Sequence, residues 1–162
     1  MAIIKVGVIM DYEVKVIPEQ KLAVINCKTP KSDIGVFFSI LMDWVDTEEI
    51  QTDGEPFIVY FSPRHEVNQG DVVYDVSIPV KDDPEETDRI RVVDMIENKV
   101  LAGTHYGSAD NIMDTYAQLV EIAQENHYDI IGSPKEVLIK GFHNCDDETE
   151  FITEIQLPII EM

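Results

Sequence analysis

One acidic side chain interrupts a short apolar stretch in the second half of the chain. Glu136 follows the turn sequence Gly132–Pro134 in GSPKEVLIKG. Alternate side chains of a strand share a face, so Glu136 would share its face with Leu138 and Lys140. A carboxylate that leaves water without a partner costs several kcal/mol, unless a cation or a hydrogen-bond donor approaches it or its pKa rises. Glu136 is therefore either a ligand-binding carboxylate or a solvated residue that pairs with Lys135 or Lys140.

Other residues that could do chemistry are sparse. One polar segment groups four candidate metal ligands, His143, Cys145, Asp146 and Asp147. No second cluster with recognised ligand spacing accompanies it, so a polar loop is the favoured interpretation. The chain has no phosphate-binding glycine loop, no nucleophile elbow and no His-Glu-x-x-His motif. We therefore predict neither a metal nor a cofactor, and we interpret three scattered histidines as surface or capping residues: His65, His105 and His127.

The charge of the chain limits its partners. The sequence has 32 acidic and 12 basic residues, a formal net charge of −20. This field repels nucleic acid backbones and anionic membranes, so we predict that neither is a partner and that cations suit the surface better. Cys27 and Cys145 follow no metal spacing and are expected to be reduced thiols, although a disulfide stays open.

The termini and apolar runs favour one cytoplasmic domain over residues 1–162. Residues 1–10, MAIIKVGVIM, predict a first strand, because Lys5 interrupts the apolar run and no small-residue cleavage site follows. The longest uncharged apolar run, Ile34–Met42, is about half of what a bilayer requires. A chain of 162 residues is long enough to bury a substantial core.

The two halves of the chain match in order at an offset of 78 residues. GEPFIVY at Gly54–Tyr60 corresponds to GSPKEVL at Gly132–Leu138, and Ile17–Ile25 corresponds to Met95–Gly103. We infer two repeats, at about 12–80 and 90–160, separated by the charged linker KDDPEETD.

Each repeat predicts a β-α-β-β unit. A strand, at about 14–26 or 90–104, precedes a helix, a Gly-x-Pro turn, a strand, a polar loop and a last strand. The apolar stripe of the first helix is Ile34, Phe38, Leu41, Met42 and Val45. That of the second is Ile112, Met113, Tyr116, Leu119, Val120 and Ala123, with Asp110 as its cap. The predicted fold class is α+β, with mainly antiparallel sheets, one helix per unit and a ligand groove between the halves.

Positions that differ between the repeats indicate where a ligand would bind. Ile58 corresponds to Glu136, and Tyr60 corresponds to Leu138. Ile58 and Tyr60 are poor choices for a solvated face, so these four residues are expected to line the groove. The alternate residues are expected to pack under the helices: Val59, Phe61, Val137 and Ile139. The Tyr60 ring would also attract an organic cation, by about 0.5–2 kcal/mol.

The first helix carries an extra apolar flank. Phe37, Ile40 and Trp44 stand where the second helix has Thr115, Gln118 and Ile122. This flank is a deeper core, a pocket wall or a homodimer patch. The sequence pattern leaves the three alternatives open.

The duplicated pattern resembles the GyrI-like small-molecule-binding domain, also called the AraC-type effector-binding domain. The resemblance covers about residues 12–159 and is carried by THYGSADNIMDTYAQLVEIAQENHYDIIGSPKEVL and TEIQLPI. It implies a ligand groove between the halves, in which the glutamate of the Gly-x-Pro-x-Glu segment, here Glu136, engages cationic lipophilic ligands among aromatic residues. Tyrosines that are usual in the family are replaced here by Leu138 and Ala109.

Three functions follow from the residues and the resemblance. The leading hypothesis is a stand-alone protein that binds amphiphilic, cationic small molecules around Glu136. The second is a hydrolase of cyclopropane-bearing natural products, with Glu136 as its catalytic residue and Tyr60, Tyr106 or Trp44 holding the substrate; the two missing tyrosines weigh against it. The third is a gyrase-inhibitor-like protein-interaction module that uses the flank Phe37, Ile40 and Trp44.

Overall fold

A computed structural model describes residues 11–63 and 70–161 of the chain. The expected strand at 1–10, and with it His65, lies outside the described residues. The strands within these residues are β1 (Tyr12–Ile17), β2 (Gln20–Pro30), β3 (Phe57–Tyr60), β4 (Asp71–Val80), β5 (Arg91–Met95), β6 (Asn98–Tyr106), β7 (Tyr128–Ile130), β8 (Lys135–Lys140) and β9 (Ile152–Glu161). The helices within the same residues are α1 (Ile34–Thr47) and α2 (Ile112–Glu125), each preceded by a short 3₁₀ turn.

The described strands pair antiparallel in the order β1-β6-β9-β8-β3-β4-β2-β5, with β7 on β9. The two repeats meet at the centre, where β3 pairs with β8. In that register Ile58 lies directly opposite Glu136. The two positions that the repeat made equivalent are thus cross-strand neighbours. The predicted α+β class, with one helix per repeat, is confirmed.

Each predicted first strand of a repeat is divided in two. The strands expected at about 14–26 and 90–104 break at Pro18-Glu19 and at Ile96-Glu97. The strand before each break pairs with the other repeat, β1 with β6 and β5 with β2. Two residues connect β1, at one end of the strand order, to β2, near the other end, so the connection spans at most about 11 Å. The sheet must therefore curl, which gives it a concave face.

The helices bury somewhat different stripes from those predicted. In α1 the buried residues include Trp44, while Met42 is only partly buried. In α2 the prediction of Met113 and Val120 is wrong: both are exposed, and Thr115 and Ile122 are buried. The stripe Ile112, Tyr116, Leu119 and Ala123 can be extended on one side by Met113 and Val120 or on the other by Thr115 and Ile122. Both sets satisfy the helical period, and only the position of the sheet selects one of them. Both helices have 14 residues, and neither is long and apolar enough to cross a membrane.

The entry to α2 also differs from the prediction. Asp110 was expected to cap the helix, but the oxygen that accepts at this end belongs to Ser108, whose Oγ accepts from the backbone N–H of Asp110 at 3.4 Å. The bond closes the 3₁₀ turn Ala109–Asn111 ahead of the helix. A 3₁₀ turn at a helix start is common and moves the capping position upstream.

The alternation along β3 and β8 is as predicted, but the side that faces the helices is not. Ile58, Tyr60 and Leu138 pack in the core beneath α1, whereas Val59 and Val137 lie on the opposite, concave face. Phe61 and Ile139, which were also expected under the helices, are partly exposed, at 49% and 41%. Alternation defines two faces without saying which one a helix covers, and the long-range packing of the helices on the sheet decides that question.

Candidate functional site

A cavity of about 350 Å³ lies between the N-terminal ends of the two helices, on the helix side of the sheet. The central strands β3 and β8 contribute Ile58, Tyr60, Glu136 and Leu138 to its lining. Gly35 of α1 and Ala109, ahead of α2, line it from the two helix entries. The cavity therefore lies at the boundary between the repeats, and both repeats contribute residues to its wall.

Glu136 is the buried charge of this cavity. Its side chain is 4% exposed, and one carboxylate oxygen accepts a hydrogen bond from the Tyr116 hydroxyl at 2.5 Å. Tyr116 projects from α2 and is itself buried. A short bond from a phenol to a carboxylate is of the strong, charge-assisted kind. The bond fixes the orientation of the carboxylate group.

Glu136 is not a solvated surface residue, which was the alternative interpretation of its position. Lys135 projects to the opposite face of the sheet, where its Nζ lies 3.6 Å from the sulfur of Met95. Glu136 is shielded from water by the core beneath α1 and by α2. A surface pair of Glu136 with Lys135 is therefore excluded by geometry.

The remaining lining combines aromatic and acidic side chains. Phe142 and Phe151, from the segment between β8 and β9, pack edge to face with ring centroids 5.4 Å apart. Asp110 and Glu148 add two carboxylates to that of Glu136, and Lys31 adds one positive charge. Three acids against one base give the lining a formal charge of −2. An apolar wall with a small number of polar groups is the usual lining of a small-molecule site.

The structure brings together four of the seven predicted site residues. Phe37, Trp44 and Tyr106 do not line the cavity. Trp44 is buried in the core under α1, with Phe37 packed against that core, so the flank is core rather than cavity wall. Tyr106 is 64% exposed, and its hydroxyl donates to Asp11 at 3.4 Å. Trp44 lies near the C-terminal end of α1, whereas the cavity is at the N-terminal end.

Sequence reasoning missed Tyr116, Phe142 and Phe151. Tyr116 was assigned to the core stripe of the helix, which is where it lies, and its hydroxyl still reaches Glu136. The two phenylalanines flank the segment that was interpreted as a polar loop. Their exposure to a cavity depends on the path of that loop, although two aromatic residues bracketing a polar segment were a visible signal.

His105 is a second correction. It was expected to be a surface or capping residue. It is buried on β6, and its ring nitrogens contact Thr115 Oγ1 at 2.7 Å and the carbonyl of Ser108, in the turn ahead of α2, at 2.8 Å. These two bonds tie β6 to α2 and to the turn ahead of it. Gly107, between them, has φ +100° and lines the cavity. The two hydrogen bonds of His105 therefore fix the position of a segment that lines the cavity.

Metal ligation has no geometric support in the part of the chain that is described. Within residues 11–63 and 70–161, no three His, Cys, Asp or Glu side chains are grouped to hold an ion. The Sγ of Cys145 instead lies 3.3 Å from the backbone oxygen of Asp147, whose carboxylate accepts from Thr149.

Solved structures with this fold include a protein in complex with DNA and a ligand-bound protein. The C-terminal domain of EcmrR is 22% identical, with TM-score 0.82 over 95% of this chain and 99% of that one. In an EcmrR–DNA complex the TM-score is 0.84 at 21% identity, and the match covers 96% of this chain but only 59% of the EcmrR chain. SAV2435 bound to tetraphenylphosphonium is 12% identical, with TM-score 0.61 over 92% of this chain and 94% of that one.

A hydrolase from Listeria innocua also shares the fold. It is 13% identical, with TM-score 0.63 over 92% of this chain and 91% of that one. A search of curated proteins gives no match. The model of the GyrI-like small molecule binding domain matches residues 10–160, nearly the whole chain. The chain belongs to the GyrI-like small molecule binding domain family.

Proposed function

We propose that this protein binds amphiphilic cationic small molecules in the cavity between the helix entries, with Glu136 as the counter-charge. The observation that carries the proposal is the burial of Glu136, at 4% exposure, in the lining of a cavity of about 350 Å³. The bound cation would sit among Tyr60, Phe142 and Phe151.

The energetics of burial support a cationic ligand. The protein has already removed the carboxylate from water during folding, so that cost is not paid again when a cation arrives. The Tyr116 hydroxyl holds the carboxylate in one orientation before binding. Pre-organisation of this kind raises affinity because less freedom is lost on association.

The lining supports a ligand with an aromatic or branched apolar body. Ile58, Leu138 and Ile112 give apolar surface, and the edge-to-face pair Phe142 and Phe151 gives aromatic surface. Cations over aromatic rings gain about 0.5–2 kcal/mol. A relative with the same fold, SAV2435, is solved with tetraphenylphosphonium, a cation of this description.

Titration calorimetry with tetraphenylphosphonium tests the proposal. We expect Glu136→Gln to weaken binding at least tenfold, because an ion pair in a shielded site is replaced by a neutral contact. Asp114→Asn is the matched control, since Asp114 is an exposed acid on α2 outside the cavity. It should leave the affinity within about twofold.

Two results would contradict the proposal. Equal affinity of wild type and Glu136→Gln would show that the Glu136 carboxylate does not contribute to cation binding. Loss of binding in Asp114→Asn to the same degree would mean that only the overall negative field attracts the cation. Circular dichroism of each variant establishes that it is folded before titration.

Hydrolysis is the second candidate function for the same cavity. Glu136 would act as general base or electrostatic stabiliser for water that attacks a strained cyclopropane carbon. The shared fold of the Listeria innocua hydrolase favours this candidate. Against it, Leu138 and Ala109 both line the cavity at the two positions where tyrosines are expected in the family. We therefore rank binding above turnover.

A cyclopropane-containing alkylator separates the two functions. Catalysis predicts more than one equivalent of ring-opened product per protein, abolished in Glu136→Gln. Binding without catalysis predicts a complex of one ligand per chain and no product above the uncatalysed rate. The net charge of −20 opposes direct contact of this chain with nucleic acid, so DNA is not part of the proposal.

A further inference from the structure

A second charged residue is buried on the other side of the sheet. Lys135, next to Glu136 in the chain, is 6% exposed and faces the concave side of the sheet. Its Nζ lies 4.3 Å from the centroid of the Phe57 ring and 3.6 Å from the sulfur of Met95. Neither contact supplies a negative charge, and lysines are almost never buried without one.

The acids around Lys135 are engaged elsewhere. Glu154 is held by Lys15 at 2.9 Å and by the amide of Gln156 at 2.6 Å. Asp94 pairs with Lys21 at 3.2 Å. Glu55, which borders the same cavity, is half exposed and lies 3.4 Å from His143. Among the described carboxylates, none forms an ion pair with Lys135, and burial alone lowers the pKa of its ammonium, to about 8.

Gln156 is directly opposite Lys135 in the β8–β9 register and is also buried. Its Nε2 donates to Glu154, which fixes the amide orientation, and its Oε1 is buried with no hydrogen-bond partner among the described residues. The two neighbours thus have complementary hydrogen-bonding requirements. The ammonium requires an acceptor, and the amide oxygen requires a donor.

Both side chains border a cavity of about 100 Å³ that meets an apolar groove at Phe57. The groove has a volume of about 510 Å³, and its apolar wall includes Leu22, Val24, Val59, Val93 and Met95. Met95 contacts the Lys135 ammonium, so that the charged group lies at the junction of cavity and groove. The arrangement is a polar head site joined to an apolar tail site.

We propose that this concave face is a second binding site, for an amphiphilic carboxylate that carries a hydroxyl group near its carboxylate. The carboxylate accepts hydrogen bonds from the Lys135 ammonium, and the hydroxyl donates to Gln156 Oε1. The alkyl chain lies along the groove from Phe57. The two sites of the protein would then take ligands of opposite charge on opposite faces of one sheet.

The charge complementarity decides between classes of occupant. A cation is excluded from the head site because it would meet Lys135 at close range in a shielded environment. A neutral apolar ligand fills the groove but leaves both polar groups unpaired, which costs affinity. A hydroxylated fatty acid supplies an acceptor for the Lys135 ammonium, a donor for Gln156 Oε1 and an alkyl chain for the groove in one molecule.

Titration calorimetry with 3-hydroxydecanoate, beside decanoate and decanol, tests the site. We expect 3-hydroxydecanoate to bind at least tenfold more tightly than decanol and about three- to tenfold more tightly than decanoate. Lys135→Met should reduce the affinity for 3-hydroxydecanoate at least tenfold. Lys140→Met, on the same strand, is the matched control and should not change it.

Gln156→Leu separates the hydroxyl contact from the charge contact. It should make 3-hydroxydecanoate and decanoate bind equally, because the acceptor for the hydroxyl is gone. Glu136→Gln should leave both affinities unchanged, so failure of the cation site and failure of this site are independent outcomes. The Met95 methyl resonance should shift on binding, which locates the ligand.

The pH dependence gives a test in the unmodified protein. Affinity for 3-hydroxydecanoate should fall roughly tenfold per pH unit above about 8, as Lys135 loses its proton. The proposal is overturned by undiminished binding in Lys135→Met, by equal binding of decanol, or by constant affinity between pH 7 and 9.5. Absence of binding at millimolar ligand also overturns it.

Discussion

Glu136 and Lys135 are adjacent in the chain, and their side chains lie on opposite faces of the same sheet. The carboxylate of Glu136 has a buried donor in Tyr116, whereas the described residues in contact with the Lys135 ammonium are an aromatic ring, Phe57, and a thioether, Met95. A buried charge with a hydrogen-bond partner costs less stability than a buried charge without one. The two side chains are thus similarly buried and differ in the groups that contact their charges.

The cost of burying Lys135 is measurable as a pH dependence of stability. Its pKa in the folded protein is lowered to about 8 from 10.5, so between these values the unfolded chain binds more protons than the folded one. The free energy of unfolding should therefore rise with pH across this window, by roughly 3 kcal/mol in all. Urea denaturation at pH 7 and pH 10 measures it.

Comparison with Lys135→Met isolates this contribution. Burial raises the pKa of Cys27 to about 11 and that of Tyr74 to about 12, and both shifts lower stability at high pH in wild type and variant alike. The variant should be more stable than wild type at pH 7, with the difference vanishing above pH 10. A constant difference over this range would show that Lys135 is charged at no cost.

At the scale of elements, the two helix entries shape the cation cavity and differ in their backbone. Gly107 precedes the turn into α2 with φ +100°, in the region that side chains rarely adopt. Gly35 is inside the first turn of α1, and a Cβ there would meet nothing within 4 Å. The same residue type is thus required at one entry and dispensable at the other.

Gly107→Ala and Gly35→Ala should shift stability in opposite directions. The first forces a left-handed conformation on alanine and should lower the free energy of unfolding by about 1–2 kcal/mol. The second removes a helical glycine and should raise it by up to about 1 kcal/mol. Melting temperatures by calorimetry give the comparison, and a loss in Gly35→Ala would mean that the helix entry needs flexibility.

At the scale of the whole molecule, duplication and charge act together. Each repeat supplies an edge strand to the other, β1 to β6 and β5 to β2, so neither repeat completes its sheet alone. The net charge of −20 is spread over this interlocked fold. Self-repulsion of that charge opposes compaction and favours cations near the surface.

Salt should therefore stabilise the protein. Raising NaCl from 10 to 300 mM shortens the Debye length from about 30 Å to about 6 Å and screens the repulsion. We expect the melting temperature to rise by several degrees, with sucrose of matched osmolality as the control for solvent exclusion. An unchanged or lower melting temperature in salt would indicate that local ion pairs outweigh the net repulsion.

The sequence alone predicts the α+β class, the two repeats, both helices and the equivalence of Ile58 with Glu136, because periodicity and turn residues are local signals. It also grouped Ile58, Tyr60, Glu136 and Leu138 on one face, since alternation along a strand is local. The sequence does not predict that this face lies under the helices or that Trp44 belongs to the core; both follow from long-range packing.

The reason is that a strand pattern defines two faces without assigning either to a layer, and a helix stripe fixes a period without fixing its rotation. Both are set by packing between residues that are far apart in the chain, such as that of α1 on β2 and β4. The concave face with Lys135 and Gln156 likewise depends on long-range pairing, of β1 with β6 and of β5 with β2. In the sequence, Lys135 is merely the residue before the glutamate.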